Sequence, residues 1–206
     1  MAEQVYTNAL TTLTRVKNRL TITSTGNDAV LERIINAATD FIENQCQRTF
    51  KETTYTEQVY TAMPNLKDLV LREYPVSSVS KVEYRAGLKS NPNWTEYSTD
   101  DWELQEDGRD GVITAVGYFQ MGVNALRVTY VAGYKINFAN AGDRNTHTLP
   151  ADITDLCERL VVKWWKRREK EGTSTESFEG STVTFMDDLT KDDKETLAKY
   201  TRITFA

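Results

Sequence analysis

Apolar residues recur at a helical period in three stretches of the chain, most clearly in residues 149–172. Pro150 suits the first turn of a helix, Asp152 lies near the positive end of its dipole, and Gly172 provides a left-handed stop. The apolar positions follow the spacing i, i+3, i+4, i+7, i+8, i+11, and they are Ile153, Leu156, Cys157, Leu160, Val161 and Trp164. The pattern predicts a core helix whose last stripe residue is Trp164, with Trp165 at the margin.

Two further helical patterns lie in the first fifty residues. Thr11 or Thr12 can cap a short helix, and Asn27 or Asp28 can cap a longer one. The longer helix has a wide apolar stripe of Leu31, Ile34, Ile35, Ala38, Phe41, Ile42 and Cys46. We expect it to pack against helix 149–172. The predicted packing residues are Ile34, Ile35, Ala38, Ile42, Ile153, Leu156, Leu160 and Trp164.

From Lys51 the period of the pattern changes from 3.6 to 2, which is typical of strands. Residues 126–131 alternate most clearly, and residues 80–85 put Val82 and Tyr84 on one face and Lys81, Glu83 and Arg85 on a wet face. The pattern predicts about six short antiparallel strands. A polar loop, 133–148, follows and should be either mobile or used for contact.

The pattern of the C-terminal residues 173–206 predicts an arm. A Ser/Thr/Gly linker leads into an extended segment, 181–186, and a short charged helix, 191–200. The sequence leaves open whether this tail reaches a partner or folds back on its own core. We therefore predict an α+β fold: residues 1–50 and 149–172 form a helical bundle core, 51–148 form an inserted antiparallel β-rich subdomain, and 173–206 form an extended arm.

Composition narrows the possible functions. The chain has 206 residues, 39% of them hydrophobic, and a net charge of -5, which argues against a protein that holds DNA through a general positive field. The opening MAEQVYTNAL has no basic region followed by an apolar one, and no run approaches a membrane span. We expect a soluble protein made in the cytoplasm, with no membrane contact. The basic run Lys163 to Lys170 is interpreted as a solvated helix end, and the alternative is a nucleic-acid-binding accessory module.

The sequence offers little for catalysis or metal binding. His147 is the only histidine and is expected to be an exposed loop residue, while Cys46 and Cys157 are expected to be buried, reduced thiols. Phosphate-binding glycine motifs and calcium-loop spacing are missing, so we predict a protein that is not an enzyme and has no cofactor. A further alternative is a β-sandwich hydrolase or carbohydrate binder with a pocket ringed by Trp94, Trp102 and acids.

The order of several segments resembles the phage head-tail connector family, also called head-tail adaptor or head completion proteins. The segments are NDAVLERIINAATDFIENQCQRTF, YPVSSVSKVEY, LRVTYVAGY, LPADITDLCERLVVKWWKRRE and GSTVTFMDDL. The resemblance covers nearly the whole chain, and the loop 137–148 and the region 95–110 depart from it.

The resemblance implies a structural virion protein at the head-tail interface. It would form a ring, usually a dodecamer, below the portal protein, extend the DNA channel, and offer a platform to a tail-side completion or terminator protein. Acidic character suits such a channel, because a basic lumen would bind DNA through counterion release. The arm would be the contact with the portal or a neighbouring subunit, through the predicted anchors Val183, Phe185, Met186 and Leu189.

Overall fold

The computed structural model describes residues 4–86, 92–168, 175–178, 181–184 and 189–202, with backbone alone for 57–58, 175–178 and 181–184. The chain divides into two compact units. The helical unit comprises the residues up to Phe50 together with Ile136–Arg202, and the β unit comprises Lys51–Lys135. The predicted α+β class is confirmed. The helical unit resumes at Ile136, whereas the sequence placed residues up to 148 in the β-rich part. Within the described ranges, no helix is long and apolar enough to cross a membrane.

Four helices build the helical unit: α1 Leu13–Leu20, α2 Asp28–Cys46, α3 Ala151–Arg167 and α4 Lys191–Tyr200. The α1 helix begins as predicted, because the Thr12 hydroxyl accepts a hydrogen bond from the Arg15 N–H. The α3 helix ends earlier than predicted, at Arg167, and the expected stop at Gly172 lies outside the described residues.

The facing sides of α2 and α3 form the core of the helical unit. Six of the predicted packing residues are buried: Ile35, Ala38, Ile42, Ile153, Leu156 and Leu160. The other two, Ile34 and Trp164, are only half-buried. Trp164 packs edge-on against Phe41, with ring centroids 5.7 Å apart, while Trp165 is the more buried tryptophan at 8% exposure. The two tryptophans thus exchange their predicted roles.

The buried side of α3 also includes polar positions. Thr154 and Glu158 are buried despite their polarity, and Glu158 accepts hydrogen bonds from Arg15 and Arg19 of α1. Trp165 lies at helical spacing from Glu158, on the same side of α3, and is buried as well. The covered face of α3 is therefore wider than its apolar stripe, and the sequence pattern alone showed only part of it.

The C-terminal tail returns to the helical unit at α4. Leu197 is buried, its carbonyl accepts a hydrogen bond from the Cys46 thiol at 3.8 Å, and the Tyr200 hydroxyl donates to Asp152 at 2.9 Å. The part of the tail that forms α4 thus packs on the protein's own core, which was the predicted alternative to a tail that reaches a partner. Before it, strands β8 (Thr175–Phe178) and β9 (Ser181–Thr184) pair as an antiparallel hairpin.

The β unit contains two antiparallel sheets. The larger has the strand order β1-β7-β3-β4 and the smaller β2-β6-β5. The strands are β1 Thr53–Ala62, β2 Asp68–Val70, β3 Val76–Ala86, β4 Asn93–Glu96, β5 Trp102–Leu104, β6 Val112–Ala115 and β7 Gly122–Ala132. Side chains from both sheets meet in one hydrophobic core. Seven strands are thus described in this region, where the sequence predicted about six.

Strand β7 lies at the centre of the larger sheet, between β1 and β3. Its inward residues Leu126, Val128 and Tyr130 are buried and its alternate residues are half-buried, as the alternation predicted. The predicted wet face of β3 is wrong at Glu83, which is only 7% exposed. Glu83 accepts two hydrogen bonds from the Arg127 guanidinium across the strand pair, at 2.7 and 2.8 Å, and this ion pair accounts for its burial.

Candidate interaction surfaces

The thiols and the imidazole of the chain serve the fold. Cys46 and Cys157 are free and buried, as predicted, and burial raises their pKa values to about 11 and about 12. Both thiols therefore stay protonated at neutral pH, which removes them as nucleophiles. Among the residues with described positions, no cluster of three His, Cys, Asp or Glu side chains is placed to hold a metal ion.

The prediction that His147 is exposed is wrong. It is 7% exposed, its Nδ1 accepts a hydrogen bond from the Asn137 N–H at 3.0 Å, and its ring packs against Phe138 with centroids 5.0 Å apart. Burial, together with the charges of Arg15 and Arg144, lowers its pKa. The Asn137 N–H supplies the hydrogen bond that the buried Nδ1 needs, and Phe138 supplies an apolar contact. The loop 136–148 therefore packs on itself within the helical unit.

The two tryptophans proposed to ring a carbohydrate pocket do not do so. Trp102 packs against the hydrophobic core of the β unit. Trp94 stacks over the Arg127 guanidinium, 4.5 Å from the ring centroid, and so covers the Glu83–Arg127 pair. Neither of them lines the open groove of this unit. The hydrolase or carbohydrate-binder hypothesis therefore loses the pocket on which it depended.

That groove has a volume of about 580 Å³, and four of the ten residues that line it are aromatic: Tyr84, Tyr97, Tyr118 and Phe119. Its walls are preorganised: the Tyr97 ring contacts Tyr84 and Phe119 at centroid distances of 4.9 and 5.7 Å. The Tyr97 hydroxyl accepts a hydrogen bond from the Gln120 N–H at 2.8 Å, and burial raises its pKa. We call this the aromatic groove and define it by Tyr84, Glu96, Tyr97, Asp101, Tyr118, Phe119 and Met121.

Exposed apolar side chains surround the aromatic groove. Tyr118 and Met121, which line it, are 65% and 61% exposed, and Met63, next to the lining residue Pro64, is 69% exposed. Val116 and Val123, on the same loop and the start of β7, are 73% and 66% exposed. Large apolar side chains grouped in this way, beside a groove, are typical of an interaction site. Their grouping depends on the fold, and no local motif in the sequence indicated it.

The C-terminal end of α3 presents positive charge. We call it the basic helix end and define it by Lys163, Lys166, Arg167 and Arg168. Lys166 and Arg168 are exposed, and the Arg168 guanidinium lies 3.6 Å from the centroid of the Trp165 ring. Arg168 also donates to the Trp165 carbonyl at 2.7 Å. This contact fixes a flat cation on the surface of the helical unit.

The predicted anchors of the arm are only partly described. The backbone of Val183 belongs to β9, but its side chain is outside the described residues, as are Phe185 and Met186. Leu189 is half-buried just before α4. Its neighbour Thr190 forms a capping box with Asp193, which also pairs with Arg159 at 2.6 Å. Burial opposes ionisation of Asp193, but the Thr190 hydrogen bonds and the charges of Arg159 and Lys163 outweigh it and lower its pKa.

The fold is shared with proteins of phage-like particles. The solved structures that match it include "Neck of empty GTA particle computed with C6 symmetry" and "Virion of native gene transfer agent (GTA) particle". Each has a TM-score of 0.57 and 15% identity, over 94% of this chain and 90% of the other. At this identity the similarity shows the fold. No curated protein matches the chain.

A family model, together with this fold, defines the class of protein as a structural component of a phage-like virion. The head completion protein family matches residues 9–192, so this chain belongs to that family. The predicted resemblance to head-tail connectors is confirmed, and with it the placement at the head-tail interface of the virion.

Proposed function

We propose that this protein is a head-tail connector that forms a closed ring below the portal protein, extends the DNA channel and provides the docking platform for a tail-side completion or terminator protein. The observation that carries the proposal is the family match over residues 9–192. The similarity to a chain in a neck computed with C6 symmetry supports a ring, and twelve copies, the number that the family resemblance implies, are compatible with sixfold symmetry.

The surfaces of the protomer suit ring assembly. A closed ring is built from a heterologous interface, in which two different patches of the same chain meet. The β unit offers the aromatic groove with its exposed apolar rim, and the helical unit offers the basic helix end. Tyr118 and Met121 at the groove and Lys166 and Arg168 at the basic helix end are exposed, so these side chains can meet a neighbour or a partner.

The charge of the chain suits passage of DNA without specific binding. A net charge of -5 opposes a general attraction to the duplex, and a lumen without a strong positive field does not retain DNA through counterion release. The alternative, a nucleic-acid-binding accessory module, would rely on the basic helix end alone. A gel-shift titration at physiological salt separates the two, because the module predicts duplex binding with a steep salt dependence and the connector predicts none.

The arm is proposed to contact the portal protein or a neighbouring subunit through Val183, Phe185, Met186 and Leu189. Deleting the whole tail is a poor test, because α4 packs against α2 and α3 and its loss would damage the helical unit. Replacing Phe185 and Met186 by Asp leaves α4 in place. If these residues anchor the arm, this variant keeps its far-UV circular dichroism and loses docking to the portal; unchanged docking contradicts the role.

The experiment that tests the proposed function combines the purified chain with its portal protein and images the mixture by electron microscopy. We expect a ring coaxial with the portal, stacked on its tail-side face, with an open central channel. Portal particles that stay bare at saturating concentrations of the folded chain would contradict the proposal.

A further inference from the structure

The aromatic groove has the chemistry of a site for a cationic, partly flat side chain. Two carboxylates, Glu96 and Asp101, line it beside three tyrosine rings, and no lysine or arginine is among its lining residues. The exposed acids continue past it at Asp100 and Glu103. Aromatic faces and carboxylates together favour guanidinium and ammonium groups, whose charge they attract and whose stems they cover.

The same chain carries a matching surface. The basic helix end places four cations within six positions at the C-terminal end of α3 and its cap, in a chain whose net charge is negative. Arg168 already lies flat on the Trp165 ring, so a guanidinium and an aromatic surface are presented together. The groove belongs to the β unit and the basic helix end to the helical unit. Glu96 and Asp101 in the first and Lys166 and Arg168 in the second are exposed.

We propose that the aromatic groove of one copy receives the basic helix end of the next copy, and that this contact is the heterologous interface that closes the ring. The inference depends on the ring proposed above and names its interface. Charge complementarity between two different patches of one chain selects a second copy as the occupant, because identical copies bring both patches to every junction. The exposed Met63, Tyr118 and Met121 then become buried by the neighbour.

Charge reversal tests the pairing with two variants. The acid-reversed variant, Glu96→Lys/Asp100→Lys, changes exposed side chains and spares Asp101, whose carboxylate accepts the Ser98 N–H. The base-reversed variant, Lys166→Glu/Arg167→Glu, reverses the other patch. Each variant alone presents like charges at the interface, and we expect self-association at least about tenfold weaker than that of the natural chain.

Mixing the two variants gives the decisive measurement. The reversed groove, now positive, faces a reversed helix end, now negative, so an equimolar mixture should regain association in alternating copies. Sedimentation velocity and electron microscopy, at low and physiological salt and with and without the portal protein, read out the assembly. Circular dichroism and thermal melting confirm that each variant is folded.

A control variant carries the same change in net charge as the acid-reversed variant, but on the helical unit. Asp40→Lys/Asp192→Lys alters two exposed side chains of α2 and α4, and it should associate like the natural chain. Equal loss of association in the control overturns the assigned interface, since the effect would then follow net charge.

The remaining outcomes separate this inference from the proposed function. A natural chain that forms rings, together with reversed variants that also form them, overturns the interface and leaves the ring intact. Loss of association in both variants without recovery in the mixture also overturns the pairing. A natural chain that forms no ring, either alone or on its portal, contradicts the proposed function itself.

Discussion

Glu158 joins α1 to α3, and its removal should destabilise the helical unit. This carboxylate is 7% exposed and accepts hydrogen bonds from the Arg15 Nε at 2.7 Å, an Arg19 Nη at 3.1 Å and the Thr11 hydroxyl at 3.2 Å. In Glu158→Ala these three donors lose their shared acceptor, and the buried Thr11 hydroxyl loses the partner it has on α3.

The magnitude follows from the exposure of the partners. Breaking a fully buried ion pair costs about 3–5 kcal/mol, and a hydrogen bond to a charged group contributes about 1.5–3 kcal/mol. The side chains of Arg15 and Arg19 are 47% and 34% exposed, so both cations regain water when the carboxylate is removed. We therefore expect Glu158→Ala to lower the free energy of unfolding by about 2–3 kcal/mol, and Glu158→Gln, which keeps one acceptor, by about half of that.

Asp155→Asn is the matched control. Asp155 is on the same helix and pairs with the same Arg19 at 2.6 Å, but its side chain is 50% exposed. The expected cost is below about 1 kcal/mol, because exposed ion pairs contribute little. Urea unfolding followed by circular dichroism at a helical wavelength measures the difference, which should be a midpoint shift on the order of 1 M for Glu158→Ala. Equal shifts in the two variants, or a negligible shift in Glu158→Ala, would refute the reasoning.

Three further predictions concern single positions. Gly108→Ala should lower the free energy of unfolding by more than about 2 kcal/mol, because the backbone φ is +82° and an added Cβ would lie 1.9 Å from the Val76 carbonyl oxygen. Gly26→Ala is the control: an added Cβ there meets nothing within 4 Å, so the change should stay within about 1 kcal/mol, and urea unfolding midpoints measure both variants. The pKa of His147 is lowered in the folded state, so its contribution to stability is present above its unfolded pKa near 6.5 and is lost as the pH falls below that value. A histidine NMR titration should therefore give a pKa below 6.5 for His147. His147→Asn should reduce the loss of stability between about pH 7.5 and 5, and an unchanged loss would contradict the assignment. Leu156→Ala, at a position with no exposure, should cost about 2–5 kcal/mol, and a thermal unfolding midpoint equal to that of the natural chain would contradict the core assignment.

The long helices and the central strand could be predicted because their patterns are local. The stripes of α2 and α3 and the alternation in β7 repeat along the chain at the period of one element, and the stripes face the core. For α3, the local pattern predicts only part of the buried face. Glu158 is buried beside α1, which supplies Arg15 and Arg19 as its partners, and the stripe does not encode the position of α1.

The sequence pattern did not predict which polar side chains are buried through specific hydrogen bonds. The chain before α1 is held on α2, where the Asn36 side-chain oxygen accepts a hydrogen bond from the Tyr6 N–H and the Thr39 hydroxyl accepts one from the Leu10 N–H. Leu10 is fully buried as a result. In the sequence, Asn36 and Thr39 are polar positions of α2 with no indication of burial. Their hydrogen-bond partners come from the segment before α1, whose course the pattern of α2 does not predict.

The candidate surfaces were predicted unevenly. The basic helix end is visible as a run of cations, since its residues are adjacent in sequence. The aromatic groove is assembled from Tyr84, Tyr97 and Tyr118 on separate parts of the β unit, so its existence depends on strand pairing. Exposed methionines and tyrosines in a strand-rich region were compatible with core positions until the fold placed them at the surface.

Cryo-electron microscopy of intact particles, reconstructed around the head-tail vertex, tests the central claim most directly. The account predicts a ring of this fold between the portal and the first tail protein, with its channel in line with the DNA path. A well-resolved vertex in which no density accommodates the helical and β units of this chain would contradict it.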